Sequence, residues 1–190
     1  MILKGRVWVL IALVAGILGA QEAMVRRRFT PDGELLRPEG YRQWIFVGAS
    51  LGMSYEETRG SAAEMPHGAR FHNVYIQPEA YRHFARTGEF PDKTILVMEV
   101  LSAGSNASIN KQGRFEEQSI GIEAAVKNIG RLPEDWSYYS FIGPGDRALA
   151  KAKPFAKDTC WTCHRRHGEV DNVFVQFYPV LRDVRPKARR

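Results

Sequence analysis

Both cysteines of this 190-residue chain fall in one short C-terminal stretch, Cys160-Trp161-Thr162-Cys163-His164. Whatever the chain folds into must hold that stretch against a body built by the residues before it. C-x-x-C-H is the attachment signature of c-type haem. Two thiols about one helical turn apart can reach the two vinyl groups of one porphyrin, and the adjacent imidazole can turn onto the iron. On this reading Cys160 and Cys163 anchor one covalent haem c, and His164 is the proximal metal ligand.

Three other chemistries use a C-x-x-C pair. A structural zinc site takes four ligands, so a second Cys or Cys/His pair is required. His167 could complete only a cramped C-x-x-C-H-x-x-H cluster, whereas zinc-finger pairs are separated by about a dozen or more residues. A thioredoxin-like dithiol follows the first strand of a βαβ pattern, and here the motif stands near the C-terminus. A plain disulfide suits an exported protein but gives His164 no role.

Export is legible at the other end of the chain. Lys4 and Arg6 precede an apolar run of 14 residues from Val7 to Ala20, the pattern of a signal peptide. The run is shorter than the roughly 20 residues that span a bilayer. No A-x-A triplet marks a cleavage site, so residues 1–20 are read as a signal peptide or an N-terminal anchor and the body as periplasmic. Residues 21–40 read as a linker, 41–184 as one haem-binding domain and 185–190 as a basic tail. The net charge of +6 belongs to the ends: residues 1–20 carry +2, 21–28 carry +2 and 185–190 carry +4, leaving −2 on residues 29–184. A slightly acidic body with basic tails argues against nucleic acid as a partner.

The pattern along the body predicts strands first and helices last. Tyr41–Ser50 reads as a strand, or a strand after a helical turn, and 51–70 as a loop. The segment 72–77 alternates like a strand. Pro78 opens a helix that Gly88 stops. Thr94–Leu101, apolar but for Glu99, is a strong strand, with partners expected at Ser119–Val126 and Trp136–Ile142. Asp146–Ala152 is expected to be helical, a further helix carries the C-x-x-C-H motif, and Asp171 is expected to cap a short helix ending near Pro179. Strands followed by C-terminal helices imply an α+β fold. Class I cytochromes c carry the motif near the N-terminus and take a downstream methionine as sixth ligand. Here 26 residues follow His164 and none is Met. A four-helix cytochrome c′ is excluded by the β-rich run.

In its phrases the chain resembles the cytochrome P-460 family, which includes the cytochromes c′-β. Those phrases are Gly33-Glu34-Leu35-Leu36, Tyr41-Arg42-Gln43-Trp44 with Val47-Gly48, Val74-Tyr75 with Pro78, Thr87-Gly88-Glu89-Phe90, Ile120-Gly121-Ile122-Glu123-Ala124, Cys160 to His164, and Asp171-Asn172-Val173-Phe174 with Tyr178-Pro179. The resemblance implies an antiparallel sheet packed against a c-type haem, C-terminal helices carrying the motif, and a homodimer. It implies one of two functions: oxidation of hydroxylamine, with a lysine cross-linked to the porphyrin edge, or binding of nitric oxide or a related small ligand without that bond.

Where the family's catalytic members have the lysine, this chain has Met98. A thioether has no amine to form the link. Lys93 lies an odd number of residues away, on the other face of a regular strand, and Lys111 lies in a loop. Met98 is therefore read as a haem contact, with iron ligation and a His/Met electron-transfer protein serving a redox partner as the alternative. Glu123 coincides with the family's distal carboxylate; if buried, it has a raised pKa and can relay protons. His72 is read as a surface or satisfied histidine, and Phe46, Phe71 and Tyr75 as pocket or core aromatics.

Overall fold

The structure, a computed structural model, describes residues 28–53, 69–105, 107–128 and 134–186. At its centre is a five-stranded antiparallel sheet in which sequence order and spatial order coincide: β2 (Ile45–Leu51), β3 (Arg70–Ile76), β4 (Ile95–Gly104), β5 (Phe115–Lys127) and β6 (Trp136–Ser140). A 3-10 turn at Tyr41–Gln43 leads into β2, and helix α1 (Pro78–Thr87) joins β3 to β4. Pro78 supplies the fixed φ of a first helical position, and Gly88 closes the helix with φ 77°.

The apolar run of β4 has a structural reason, since the strand is buried on both faces. Leu96 belongs to a core with Val74, Ile76, Phe84, Phe90, Trp136, Tyr138, Val173 and Leu181, against which Met98 packs. Ile95 and Val97 belong to a second core with Leu35, Tyr41, Ile122, Tyr139 and Phe141. Alternation along the strand thus serves two hydrophobic layers. In the first layer Phe84 stacks on Phe90 with centroids 4.4 Å apart, and Trp136 meets Phe90 edge-on at 5.9 Å. Each such ring contributes about 1.5–3 kcal/mol through burial.

The C-terminal segment covers the first layer. Helix α2 (Trp161–His167) carries the cysteines and His164, and helix α3 (Pro179–Val184) packs on β2 and α1. Gly48 makes that packing possible: a Cβ there would lie 3.1 Å from Pro179 Cδ and 3.3 Å from the Phe177 carbonyl oxygen. The bulge between Phe46 and Gly48 sits at the same point of β2.

Three local expectations need correction. Residues 147–152 are not helical, and Asp146 only ends a 3-10 turn that starts at Pro144. Gly145 and Asp146 have positive φ, Arg147–Ala148 (β8) pairs with Ile142–Gly143 (β7), and Lys151–Ala152 (β9) pairs with Leu35–Leu36 (β1). Residues 21–40, expected to be a linker, contribute β1 in their described part, and Leu35 is wholly buried. Asp171 caps no helix; it sits in a tight turn, and Pro179 opens a helix instead of ending one. The expected leader, most of the 51–70 loop and most of the basic tail lie outside the described residues. Among the described residues no helix is long and apolar enough to cross a membrane.

Candidate haem-binding site

A cavity of about 290 Å³ lies between the sheet and α2. Its floor is the face of the sheet that carries Val74, Leu96, Met98 and Glu123, and its wall is the C-terminal segment, with Cys160, Cys163, His164, Phe174 and Tyr178. Met98 and Glu123 are register partners on β4 and β5, so their side chains stand side by side. The five residues singled out in the sequence, Met98, Glu123, Cys160, Cys163 and His164, therefore face one space. A larger hollow of about 770 Å³, beside Trp44 and Leu149, contains none of them.

His164 is held on three sides. Its Nδ1 lies 2.9 Å from the Asn172 carbonyl oxygen, which can only accept, so Nδ1 carries the proton. The lone pair is then on Nε2, the tautomer a metal-binding imidazole requires. Tyr138 and Phe174 sandwich the ring at 4.2 and 4.4 Å between centroids. Burial lowers the His164 pKa against the opposing effect of the Asn172 carbonyl, keeping the ring neutral and able to ligate.

The cysteines are unpaired, and Cys160 precedes the first turn of α2 while Cys163 lies within it. Burial, with the nearby charges of Glu123 and Cys163, pushes the Cys160 thiol up to about 11. Among the described residues no group of three or more His, Cys, Asp or Glu side chains gathers to share one metal ion. The donor set instead matches a flat, largely apolar group: two thiols on one edge, one nitrogen with a free lone pair, and aliphatic and aromatic walls. A haem fits these residues, with Cys160 and Cys163 to hold its periphery and His164 to meet its iron.

A model of the cytochrome P460 family matches residues 38–175, well over half of the chain and the whole of the cavity's sheet and C-x-x-C-H segment. The chain belongs to the cytochrome P460 family. The family implies a haem cofactor, and the cavity beside His164 is lined by residues that would suit one. A comparison with curated proteins returns no match.

Glu123 sits on the sheet floor with its carboxyl pKa raised by burial, against a hydrogen bond from Ser140. His72 is partly buried, its pKa lowered by burial, and it borders a smaller hollow of about 70 Å³ that shares Val74, Met98, Phe174 and Tyr178 with the main cavity. Phe46 and Tyr75 do not line the cavity; they meet edge-on at 5.6 Å, and Tyr75 packs against the second core. Phe71 also lies outside it. Lys93 is in the turn before β4 and Lys111 in the exposed 107–113 loop.

Several residues of the site carried no assignment in the sequence. Tyr138 and Phe174 clamp His164, and the Asn172 carbonyl orients it. Phe174 and Asn172 fall in one of the family phrases, the only cue the sequence offered. In the sequence Glu99 is an interruption of the apolar run of β4, with nothing local to name its partner. It is buried on the opposite face, accepting from Tyr41 Oη at 2.8 Å and from the Arg42 guanidinium.

Proposed function

We propose that this protein is an exported mono-haem c-type cytochrome that binds nitric oxide or a related small nitrogen-oxide ligand. The observation that carries the reading is the shared cavity in which the two thiols and the His164 ring face Met98 rather than a lysine. A haem held here would supply an iron able to bind a small gas. The Cys160 and Cys163 thiols would hold the group's periphery, each by addition of S–H across a vinyl with no leaving group, and His164 would offer Nε2 to its iron. Met98, with Leu96 and Val74, gives the floor an apolar surface that excludes water, and no amine stands at position 98 to bond the macrocycle. Glu123, protonated to higher pH than an exposed glutamate, can donate a hydrogen bond or a proton toward a bound nitrogen oxide.

A second reading is favoured by one observation: Met98 lines the same cavity as His164, so a His/Met pair serving a redox partner is the electron-transfer alternative. Hydroxylamine oxidation is supported by Glu123 alone and lacks the cross-linking lysine. Periplasmic residence and a homodimer belong to the proposal through the leader-like N-terminus and the family resemblance.

The test uses protein made with the c-type maturation system. A pyridine haemochrome that survives denaturation is expected; its absence sinks the reading. An ordinary ferrous Soret band that shifts on adding nitric oxide supports gas binding. A low-spin spectrum that Met98→Ala converts to high spin supports electron transfer, and a strongly red-shifted ferrous band with hydroxylamine turnover supports the enzyme.

A further inference from the structure

The Asn172 carbonyl that accepts from His164 Nδ1–H also accepts from Tyr138 Oη at 3.3 Å, and the turn that carries it is tied in addition to a part of the molecule outside the cavity. Asp171 and Asn172 both have positive φ, 47° and 63°, and the Val173 N–H donates back to the Val170 carbonyl at 2.8 Å. These four residues form a tight turn of the I′ kind, which Asp and Asn tolerate. The turn approaches α2 so closely that a Cβ on Gly168 would lie 2.7 Å from the Asn172 carbonyl carbon. A second tie from the turn to the sheet runs through Lys127, the last residue of β5. Lys127 is 9% exposed, and its ammonium donates to the Phe90 carbonyl and to Asp171 Oδ2, both at 2.7 Å. Phe90 belongs to the first core, so the ammonium ties the turn to that core.

A buried lysine is expensive to desolvate and is retained only where its partners are well placed. A methionine or leucine at position 127 would fill the same space at lower electrostatic cost. We propose that Lys127 is a positioning residue for His164: by holding Asp171 it sets the place of the Asn172 carbonyl, and through the Nδ1–H bond it tunes the donor strength of Nε2 toward haem iron. The inference rests on His164 being the iron ligand. A stronger Nδ1–H···O=C bond makes the imidazole a better donor and favours the oxidised metal. Loosening the turn shifts the balance toward the reduced form.

The experiment compares the holoprotein with Lys127→Met, Lys127→Arg and Asp171→Asn, reading covalent haem by pyridine haemochrome, thermal stability, reduction potential and the ferrous iron–histidine stretch. Outer-partner losses change metal properties by about tenfold or more. Lys127→Met should therefore favour the reduced form about tenfold, a rise of about 59 mV for one electron, with a lower stretching frequency. Lys127→Arg should recover most of the shift. Asp171→Asn, which keeps a residue tolerant of positive φ, should reproduce part of it and decides the question if Lys127→Met does not fold. A lower melting temperature with unchanged potential and stretch would make Lys127 merely structural and overturn the proposal. A wild-type protein without covalent haem overturns the role of His164, and this inference with it, before any variant is compared.

Discussion

Two carboxylates on the same sheet illustrate how a single residue's environment is set by which face it occupies. Glu99 and Glu123 are both strand residues, one on each side. Burial pushes the Glu99 pKa up, but hydrogen bonds from Arg42 and Tyr41 outweigh it and hold the carboxyl below its ordinary 4.5. Its contribution to stability is then present above pH 4.5 and lost as pH falls through the depressed value. Arg42→Ala should cost about 1–3 kcal/mol at pH 7, less than a fully buried pair because the guanidinium is solvent-exposed. The cost should shrink below about pH 4.5, and melting curves over pH 3–8 check both points. Glu123 has the opposite sign. Burial raises its pKa with only Ser140 to oppose it, so the folded protein keeps a proton that the unfolded chain releases, and stability falls as pH rises from about 4.5 through the raised value. Glu123→Gln should melt higher than wild type at pH 8 and equal to it at pH 4. An advantage that persists at pH 4 would show that ionisation is not the cause.

At the scale of elements, α2 is the weak member and the turn after it is what keeps it in place. The helix has seven residues, none of them fully buried, far below the length at which a helix holds itself together in water. Gly168 lets the 170–173 turn press against it, since a Cβ there would meet the His164 carbonyl oxygen at 2.7 Å and the Val173 nitrogen at 2.8 Å. These are backbone atoms that cannot step aside. Gly168→Ala should cost about 1–3 kcal/mol by overpacking and reduce covalent haem per chain, measured as haemochrome absorbance against protein. Normal haem content with an unchanged melting point would mean that the turn relaxes freely. The same region shows what the sequence could reveal. Helix α1 was legible because its start and stop signals are local, and β4 because burial on both faces writes a continuous apolar run. The 146–152 segment misled because Ala148, Leu149 and Ala152 have helical spacing, while what decides its structure is pairing with Ile142 and with Leu35, more than a hundred residues earlier. Asp171 misled for a chemical reason: the residue types that cap helices also tolerate the left-handed turn. Of the cavity lining, Cys160, Cys163, His164 and the two sheet residues were legible. The clamp of Tyr138 and Phe174 and the Lys127 tether depend on contacts between distant segments that no local pattern records.

Across the whole molecule the sheet separates two layers of unequal independence. The layer behind it is tied by hydrogen bonds among Tyr41, Glu99 and Arg42 and buries Leu35, Val97, Ile122, Tyr139 and Phe141 together, and its Leu35 and Ile95 border the hollow of about 770 Å³. The layer in front surrounds a cavity of about 290 Å³ whose outer wall is the short helix α2. The wall therefore gains its packing when the cavity is filled, and the sheet does not need it. In the apoprotein, amides of α2 and of the 170–173 turn should exchange with solvent within seconds, while those at the centre of β4 and β5 remain protected for hours or longer. In the holoprotein the two sets should converge. The same asymmetry bears on how the bond to haem forms. In the docked segment the Cys160 thiol is pushed up to about 11, so almost no thiolate is present near neutral pH; alkylation of the folded apoprotein at pH 7 should be slow at Cys160 and fast in denaturant. If α2 exchanges quickly, any attachment of haem to the cysteines would proceed on the open segment before it docks. Protection of α2 in the apoprotein equal to that of β4 would refute this order.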